Sequence, residues 1–254
     1  MPTNVSRPAA LLFDVDGTIA ETEDAHRRAF NQAFADFNID IVWDQKMYRS
    51  LLAVAGGKER IRHYLSKHEP ERIAAISPQV DDLHAVKTRH FRDLAAAGAI
   101  ALRPGVMRLM AEARTHGIPI AIATTMTRPS LEALFTPILG PGALDRFSAI
   151  ATGDRVEAKK PAPDIYLLAL STLGLAATDC VALEDSHIGV TAARSAGLPV
   201  IATPSLYTDH DDFSAATTVL SDLGEPGAPC RHIAGKAFPG DIVTVDALTA
   251  WMGA

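Results

Sequence analysis

One unit recurs three times between residues 106 and 202: an amphipathic helix, a glycine, then a short apolar run. Val106, Leu109, Met110 and Ala113 mark the first helix, which stops at His116-Gly117 before Ile118-Pro119-Ile120-Ala121-Ile122-Ala123. A helix through Ile165, Leu168 and Ala169 stops at Gly174, ahead of Cys180-Val181-Ala182-Leu183. The third, His187 to Ala196, stops at Gly197, ahead of Pro199-Val200-Ile201-Ala202. Glycine supplies the left-handed residue that ends a helix, Pro161 and Pro163 suit a helix start, and Pro119 and Pro199 are tolerated at strand starts. Apolar runs without alternation are buried on both faces, which predicts a parallel sheet covered by helices on each side. The expected fold is therefore α/β, with a doubly wound parallel sheet.

A further apolar run, Ala9 to Phe13, ends abruptly in Asp14-Val15-Asp16-Gly17-Thr18, while two of the later runs end in Thr124-Thr125 and Glu184-Asp185. Strands of a parallel sheet point one way, so these residues are expected along one crevice at the carboxyl edge. Asp14 and Asp16, two apart in extended chain, share a face and can converge on one cation. Lys159 and Lys160, just before Pro161, reach the same crevice from a loop. Alone, each piece has an ordinary use: a helix cap, a strand end, a solvated pair. Together they predict a site. Carboxylates this close repel one another unless a divalent cation compensates them, and an all-oxygen set without a His/Cys cluster suits Mg²⁺. A hydroxyl and an ammonium beside it are what the non-bridging oxygens of a transferring phosphoryl group need.

Residues 23–97 follow a different grammar. Ala25, Ala29, Ala33 and Phe37 recur at helical spacing, Trp43 to Ala55 and Arg60 to Leu65 continue it, and a last helix fits Asp81 to Ala97. No strand is expected between Ile19 and Ile100, so this stretch reads as an all-helical insertion into a core made of 1–22 and 98–254. It carries 12 basic and 11 acidic side chains, or +1, within a chain of net charge −6, leaving −7 for the rest. The acidic balance argues against a nucleic-acid partner. No apolar stretch reaches membrane-spanning length, the start Met1 to Pro8 lacks a signal-peptide layout, and Cys180 and Cys230 form neither a disulfide framework nor a zinc site. The expectation is a cytoplasmic protein without a membrane partner. Near the end, Gly224 to Pro229 reads as a loop and Asp241 to Val245 as a short late strand.

The four stretches Asp14-Val15-Asp16-Gly17-Thr18, Thr124, Lys160 in Lys159-Lys160-Pro161-Ala162-Pro163-Asp164, and Glu184-Asp185-Ser186-His187-Ile188-Gly189 carry a resemblance. In order, they resemble the motifs of haloacid-dehalogenase-superfamily phosphohydrolases with a helical cap after the first strand. Ala55-Gly56-Gly57-Lys58-Glu59-Arg60 and Ala123-Thr124-Thr125-Met126-Thr127 resemble the CbbY-type branch associated with the carbon-fixation cycle. The resemblance implies a Rossmann-like core and a phosphatase. Asp14 would be the nucleophile, Asp16 the general acid and then base, and Thr124 and Lys160 the holders of the phosphoryl oxygens. Mg²⁺ would be held by the Asp14 carboxylate, the Asp16 main-chain carbonyl and Asp185, with Glu184 acting directly or through water. Glu21, Thr22, His26, Lys58, Arg60, Lys87 and Thr125 are the expected substrate-binding residues. The implied substrate is a small sugar phosphate, with xylulose 1,5-bisphosphate the candidate and a monomer the expected state. An intramolecular phosphomutase like β-phosphoglucomutase and a non-catalytic phosphometabolite binder are the alternatives. Dehalogenation needs no acid two residues after the nucleophile, so Asp16 argues against it.

Overall fold

A computed structural model describes residues 7–253; Met1–Ser6, most of the start read above, and Ala254 lie outside the described residues. The strands are β1 (Ala10–Phe13), β2 (Ile120–Ala123), β3 (Ala149–Ala151), β4 (Cys180–Glu184), β5 (Val200–Ala202), β6 (Thr218–Leu220) and β7 (His232–Gly235). They form one sheet in the order β3-β2-β1-β4-β5-β6-β7, parallel throughout except for the β6–β7 pair. The first helices are α1 (Glu23–Asp36), α2 (Gln45–Leu51), α3 (Gly57–His68), α4 (Ile73–Ile76) and α5 (Val80–Ala96). The later ones are α6 (Val106–Thr115), α7 (Arg128–Leu139), α8 (Asp164–Leu173), α9 (His187–Ser195) and α10 (Val245–Gly253).

The chain divides into two compact units, one made of residues 7–21, 102–124 and 145–253, the other of 22–101 and 125–144. In the first, the doubly wound sheet read from the sequence is present. One face of it is lined by small residues, Ala10, Ala121, Ala123, Ala149, Ala151, Ala182 and Ala202, which pack with Ile165, Tyr166 and Ala169 of α8 and Val190 and Ala193 of α9. Alternation along each strand puts the bulky buried residues Leu11, Phe13, Ile120, Ile122, Val181, Leu183 and Ile201 on the opposite face. Strand β3 was not expected from the sequence. Nor was the pair β6 and β7, and Asp241 to Val245 is not a strand: Val245 opens α10, and Val243 is buried in the loop before it.

The second unit is all-helical over the described residues, with α5 packed along α1 and α7. Helix α7 lies in this unit, outside the 98–254 core expected from the sequence, and packs on α5. Its centre is aromatic: the Trp43 ring lies 4.8 Å from Phe30, 4.9 Å from Phe34 and 5.4 Å from Tyr64, centroid to centroid. Asn31 fixes the approach of Trp43, accepting from its main-chain N–H at 2.8 Å and donating to its carbonyl at 2.9 Å. Among the described residues no helix is long and apolar enough to cross a membrane.

Candidate active site

Register builds the site. Phe13 lies opposite Leu183 in the β1–β4 pair, and the Asp14 N–H donates to the Leu183 carbonyl at 3.0 Å. Asp14 therefore emerges from the sheet edge beside Glu184 and Asp185. The three carboxylates are buried, and one oxygen from each falls within 4.8 Å of the others. Lys160 enters from the loop between β3 and α8, and its ammonium donates to Asp14 Oδ1 and Glu184 Oε1, each at 2.6 Å. Tyr166 of α8 donates its hydroxyl to the same Glu184 oxygen at 2.5 Å, and its ring lies under the Lys160 ammonium, 5.2 Å from Nζ to the centroid. Sequence spacing gave no hint of Tyr166; its place on the buried face of a helix start is the signal that marks it only in retrospect.

Two glycines make room for the carboxylates. Gly17 has φ +78°, and a Cβ there would lie 2.1 Å from Asp185 Oδ2. A Cβ on Gly189, in the first turn of α9, would lie 2.0 Å from Glu184 Oε2. Both positions therefore require the absence of a side chain.

The electrostatics are those of an anionic set short of positive charge. Burial raises the Asp14 pKa, Lys160 opposes that, and Asp16 adds to it. Glu184 is pushed up to about 7 by burial, with Lys160 opposing and Asp14 reinforcing. Burial alone would lower the Lys160 pKa, but Asp14 and then Glu184 raise it, so it stays an ammonium. Tyr166 stays a phenol, its pKa raised by burial and by Glu184. Within this set one ammonium faces three carboxylates, and the donors are hard oxygens. The residues fit a divalent cation of the Mg²⁺ type.

The remaining expected residues divide between the units. In the first, Asp16 is half-buried, and its carboxylate is not part of the three-oxygen group. Thr124 is buried at the end of β2, its N–H bonded to the Ala151 carbonyl at 3.1 Å. Glu21 accepts from the buried Arg103 guanidinium at 2.6 Å, and that guanidinium also reaches the Pro204 carbonyl at 3.0 Å. In the second unit Thr22 is buried just ahead of α1 and Thr125 is half-buried. His26 and Lys87 meet inside the bundle, Nζ to Nδ1, at 2.7 Å, with the imidazole stacked on Phe91 at 3.9 Å. The lysine donates, so His26 Nδ1 accepts and the proton of the neutral ring sits on Nε2. Lys58 pairs with Asp81 at 2.8 Å on an exposed face. Arg60 is tied to its own unit, donating to the Tyr48 hydroxyl at 2.9 Å, the Leu51 carbonyl at 3.2 Å and the Val54 carbonyl at 3.3 Å.

A family model described as haloacid dehalogenase-like hydrolase matches residues 8–197. The plasmid CbbY protein of Cupriavidus necator is 47% identical over 245 residues, which is 95% of this chain and 96% of that one. CbbY from Rhodobacter sphaeroides, solved with phosphate, superposes with a TM-score of 0.79 at 46% identity, over 85% of this chain and 95% of that one. A mutant of that protein solved with xylulose-(1,5)-bisphosphate gives the same TM-score at 45% identity and the same coverage. A β-phosphoglucomutase from Clostridium difficile, 20% identical with a TM-score of 0.66 over 83% of this chain and 89% of that one, shares the fold. With the four motifs assembled at one sheet edge and relatives this similar across almost the whole chain, the protein belongs to the haloacid dehalogenase-like hydrolases and is a phosphatase related to CbbY.

Proposed function

We propose that this phosphatase hydrolyses a small sugar bisphosphate, with xylulose 1,5-bisphosphate as the substrate and Mg²⁺ as the cofactor. The observation that carries the proposal is the Lys160 ammonium held 2.6 Å from both Asp14 and Glu184, inside a buried set of three carboxylates. The substrate is suggested by the 45%-identical CbbY solved with that bisphosphate.

Asp14 attacks phosphorus through a carboxylate oxygen while the ester P–O bond breaks, and Asp16 gives its proton to the leaving alkoxide. Water then attacks the aspartyl-phosphate, Asp16 takes the water proton, and the acyl–phosphate bond breaks to return the Asp14 carboxylate and inorganic phosphate. Lys160 and Thr124 hold the non-bridging oxygens throughout, and Glu184, fixed by Tyr166, holds Lys160 in place. Asp14, Asp185 and the Asp16 carbonyl, with Glu184 directly or through water, would hold Mg²⁺, which supplies charge neutralisation for the phosphoryl group. Losing one such preorganised donor costs about 10²–10³ in rate. By the resemblance, Lys58 is the cation for the phosphate that is not cleaved, while the buried Lys87 is held on His26 within its own unit.

The test is phosphate release from a panel of mono- and bisphosphorylated pentoses and hexoses, with Mg²⁺ and with EDTA. One equivalent of phosphate per bisphosphate, only with Mg²⁺, supports the reading. The second reading, an intramolecular phosphomutase, rests on the resemblance, in which Thr22 and His26 stand where β-phosphoglucomutases have a Thr and a His that help run the mutase cycle, and Lys87 where they have a lysine on the substrate phosphate. Isomerisation of a monophosphate faster than phosphate release would establish that reading instead.

A further inference from the structure

The carboxylate of Asp185 is held by a loop that the motifs do not include. After β5 the chain carries three buried hydroxyl residues, Thr203, Ser205 and Thr208. The Thr203 N–H donates to the Glu184 carbonyl at 2.7 Å, which ties the loop to the end of β4. Residues 205–208 then close a turn reciprocally: the Thr208 N–H donates to the Ser205 carbonyl at 3.1 Å, and the Ser205 N–H donates to Thr208 Oγ1 at 2.9 Å. Thr208 Oγ1 lies 2.6 Å from the Asp185 carbonyl and 3.1 Å from Asp185 Oδ2. Both of those oxygens only accept, so the single Thr208 hydroxyl proton goes to Asp185. The Ser205 hydroxyl, 2.9 Å from Thr208 Oγ1, must then be the donor in that contact. Oδ2 is also the oxygen that the missing Cβ of Gly17 makes room for.

We propose that Thr208 is a positioning residue that fixes the Asp185 carboxylate in the orientation that binds Mg²⁺, with Ser205 orienting the Thr208 hydroxyl. The proposal rests on the magnesium reading of the site. The one Thr208 proton is shared between the Asp185 main-chain carbonyl at 2.6 Å and Oδ2 at 3.1 Å, so the hydroxyl ties the carboxylate to its own main chain and limits rotation about the side chain. Partners of this kind behind a metal ligand govern affinity, and their loss typically weakens metal binding by about 10- to 100-fold.

The experiment is calorimetric titration of Mg²⁺ into the phosphate-free protein, for wild type, Thr208→Val, Thr208→Ser and Ser205→Ala, beside thermal unfolding of each in EDTA. Valine keeps the shape and removes the hydroxyl; serine keeps the hydroxyl. The expected result is a Mg²⁺ Kd raised about 10- to 100-fold in Thr208→Val and restored to near wild type in Thr208→Ser. Folded Thr208→Val that binds Mg²⁺ like wild type, whatever its unfolding temperature, overturns the proposal. Should Thr208→Val not fold, Ser205→Ala decides: a raised Kd supports the proposal and an unchanged one overturns it. A wild-type protein that binds no Mg²⁺ at all defeats the metal reading itself, and this inference with it, which separates the two failures.

Discussion

Replacing Gly189 by alanine tests whether the Glu184–Lys160 geometry matters to chemistry, because it acts on the site without removing any functional group. The added Cβ would stand 2.0 Å from Glu184 Oε2, 2.2 Å from Cδ and 2.3 Å from Oε1, where real contacts do not fall below 3.0 Å. The carboxylate must therefore move by about 1 Å, and being wholly buried it moves at the expense of its bonds to Lys160 and Tyr166. Overpacking of this kind costs about 1–3 kcal/mol, while alanine in place of glycine within a helix returns about 0.5–1 kcal/mol. The variant should remain folded, since domains are typically stable by about 5–15 kcal/mol. Misplacement by about 1 Å costs on the order of 10² in rate, so kcat on p-nitrophenyl phosphate should fall about a hundredfold. The assay is steady-state phosphate release beside circular dichroism and thermal unfolding. Folded Gly189→Ala with kcat within about threefold of wild type would show that the Lys160–Glu184 geometry is not what catalysis depends on.

Tyr166→Phe removes one of the donors to a Glu184 oxygen and should cost about 1.5–3 kcal/mol of stability in urea unfolding, as for hydrogen bonds to charged groups. An unchanged midpoint would count against that bond. His84, largely buried, has its pKa lowered to about 4 by burial, then Lys87 and Lys58, against 6.5 in the unfolded chain. The unfolded chain thus binds more protons between those values, and this group alone removes up to about 3 kcal/mol of stability as pH falls from 7 to 4. His84→Gln should flatten that slope, and an unaltered slope would contradict the assignment. Lys58→Ala should lower kcat/KM for a bisphosphate about ten- to a hundredfold while sparing p-nitrophenyl phosphate, as for loss of a charge-assisted phosphate contact. Arg60→Ala should impair both substrates alike, because its guanidinium braces Leu51 and Val54, and a loss confined to the bisphosphate would return it to a ligand role.

The parts of this protein that were legible in its sequence are those governed by local pattern. Strands β1, β2, β4 and β5 begin as apolar runs, and α6, α8 and α9 end at or near glycine, so local pattern marks them. Strand β3 is three residues long and has no such frame. Strand β7 is exposed along its whole length and carries no hydrophobic pattern, and α7 holds Pro137 inside it. Asp241 to Val245 misled because Val243 and Val245 are both buried, an alternation that here belongs to a loop entering a helix. Within the site, Asp14, Glu184 and Asp185 follow from parallel strands sharing an edge, while Lys160 comes from a loop and is marked by its motif before Pro161. Tyr166, Thr208 and the room at Gly189 depend on which side chain meets which across 5 to 23 residues of chain, and spacing does not encode that. Arg60 and Lys58 looked equivalent as basic residues beside Gly56-Gly57; only burial and partners separate them.

The most direct test of the central claim is phosphate release from xylulose 1,5-bisphosphate by wild type and Asp14→Asn, with Mg²⁺ present and the sugar products identified. The aspartyl-phosphate route predicts one equivalent of phosphate per bisphosphate from wild type, no isomerised monophosphate, and a loss of about 10⁴-fold or more in the folded Asn variant, since an amide cannot form the acyl phosphate. Asp14→Asn turning over within about tenfold of wild type would contradict it.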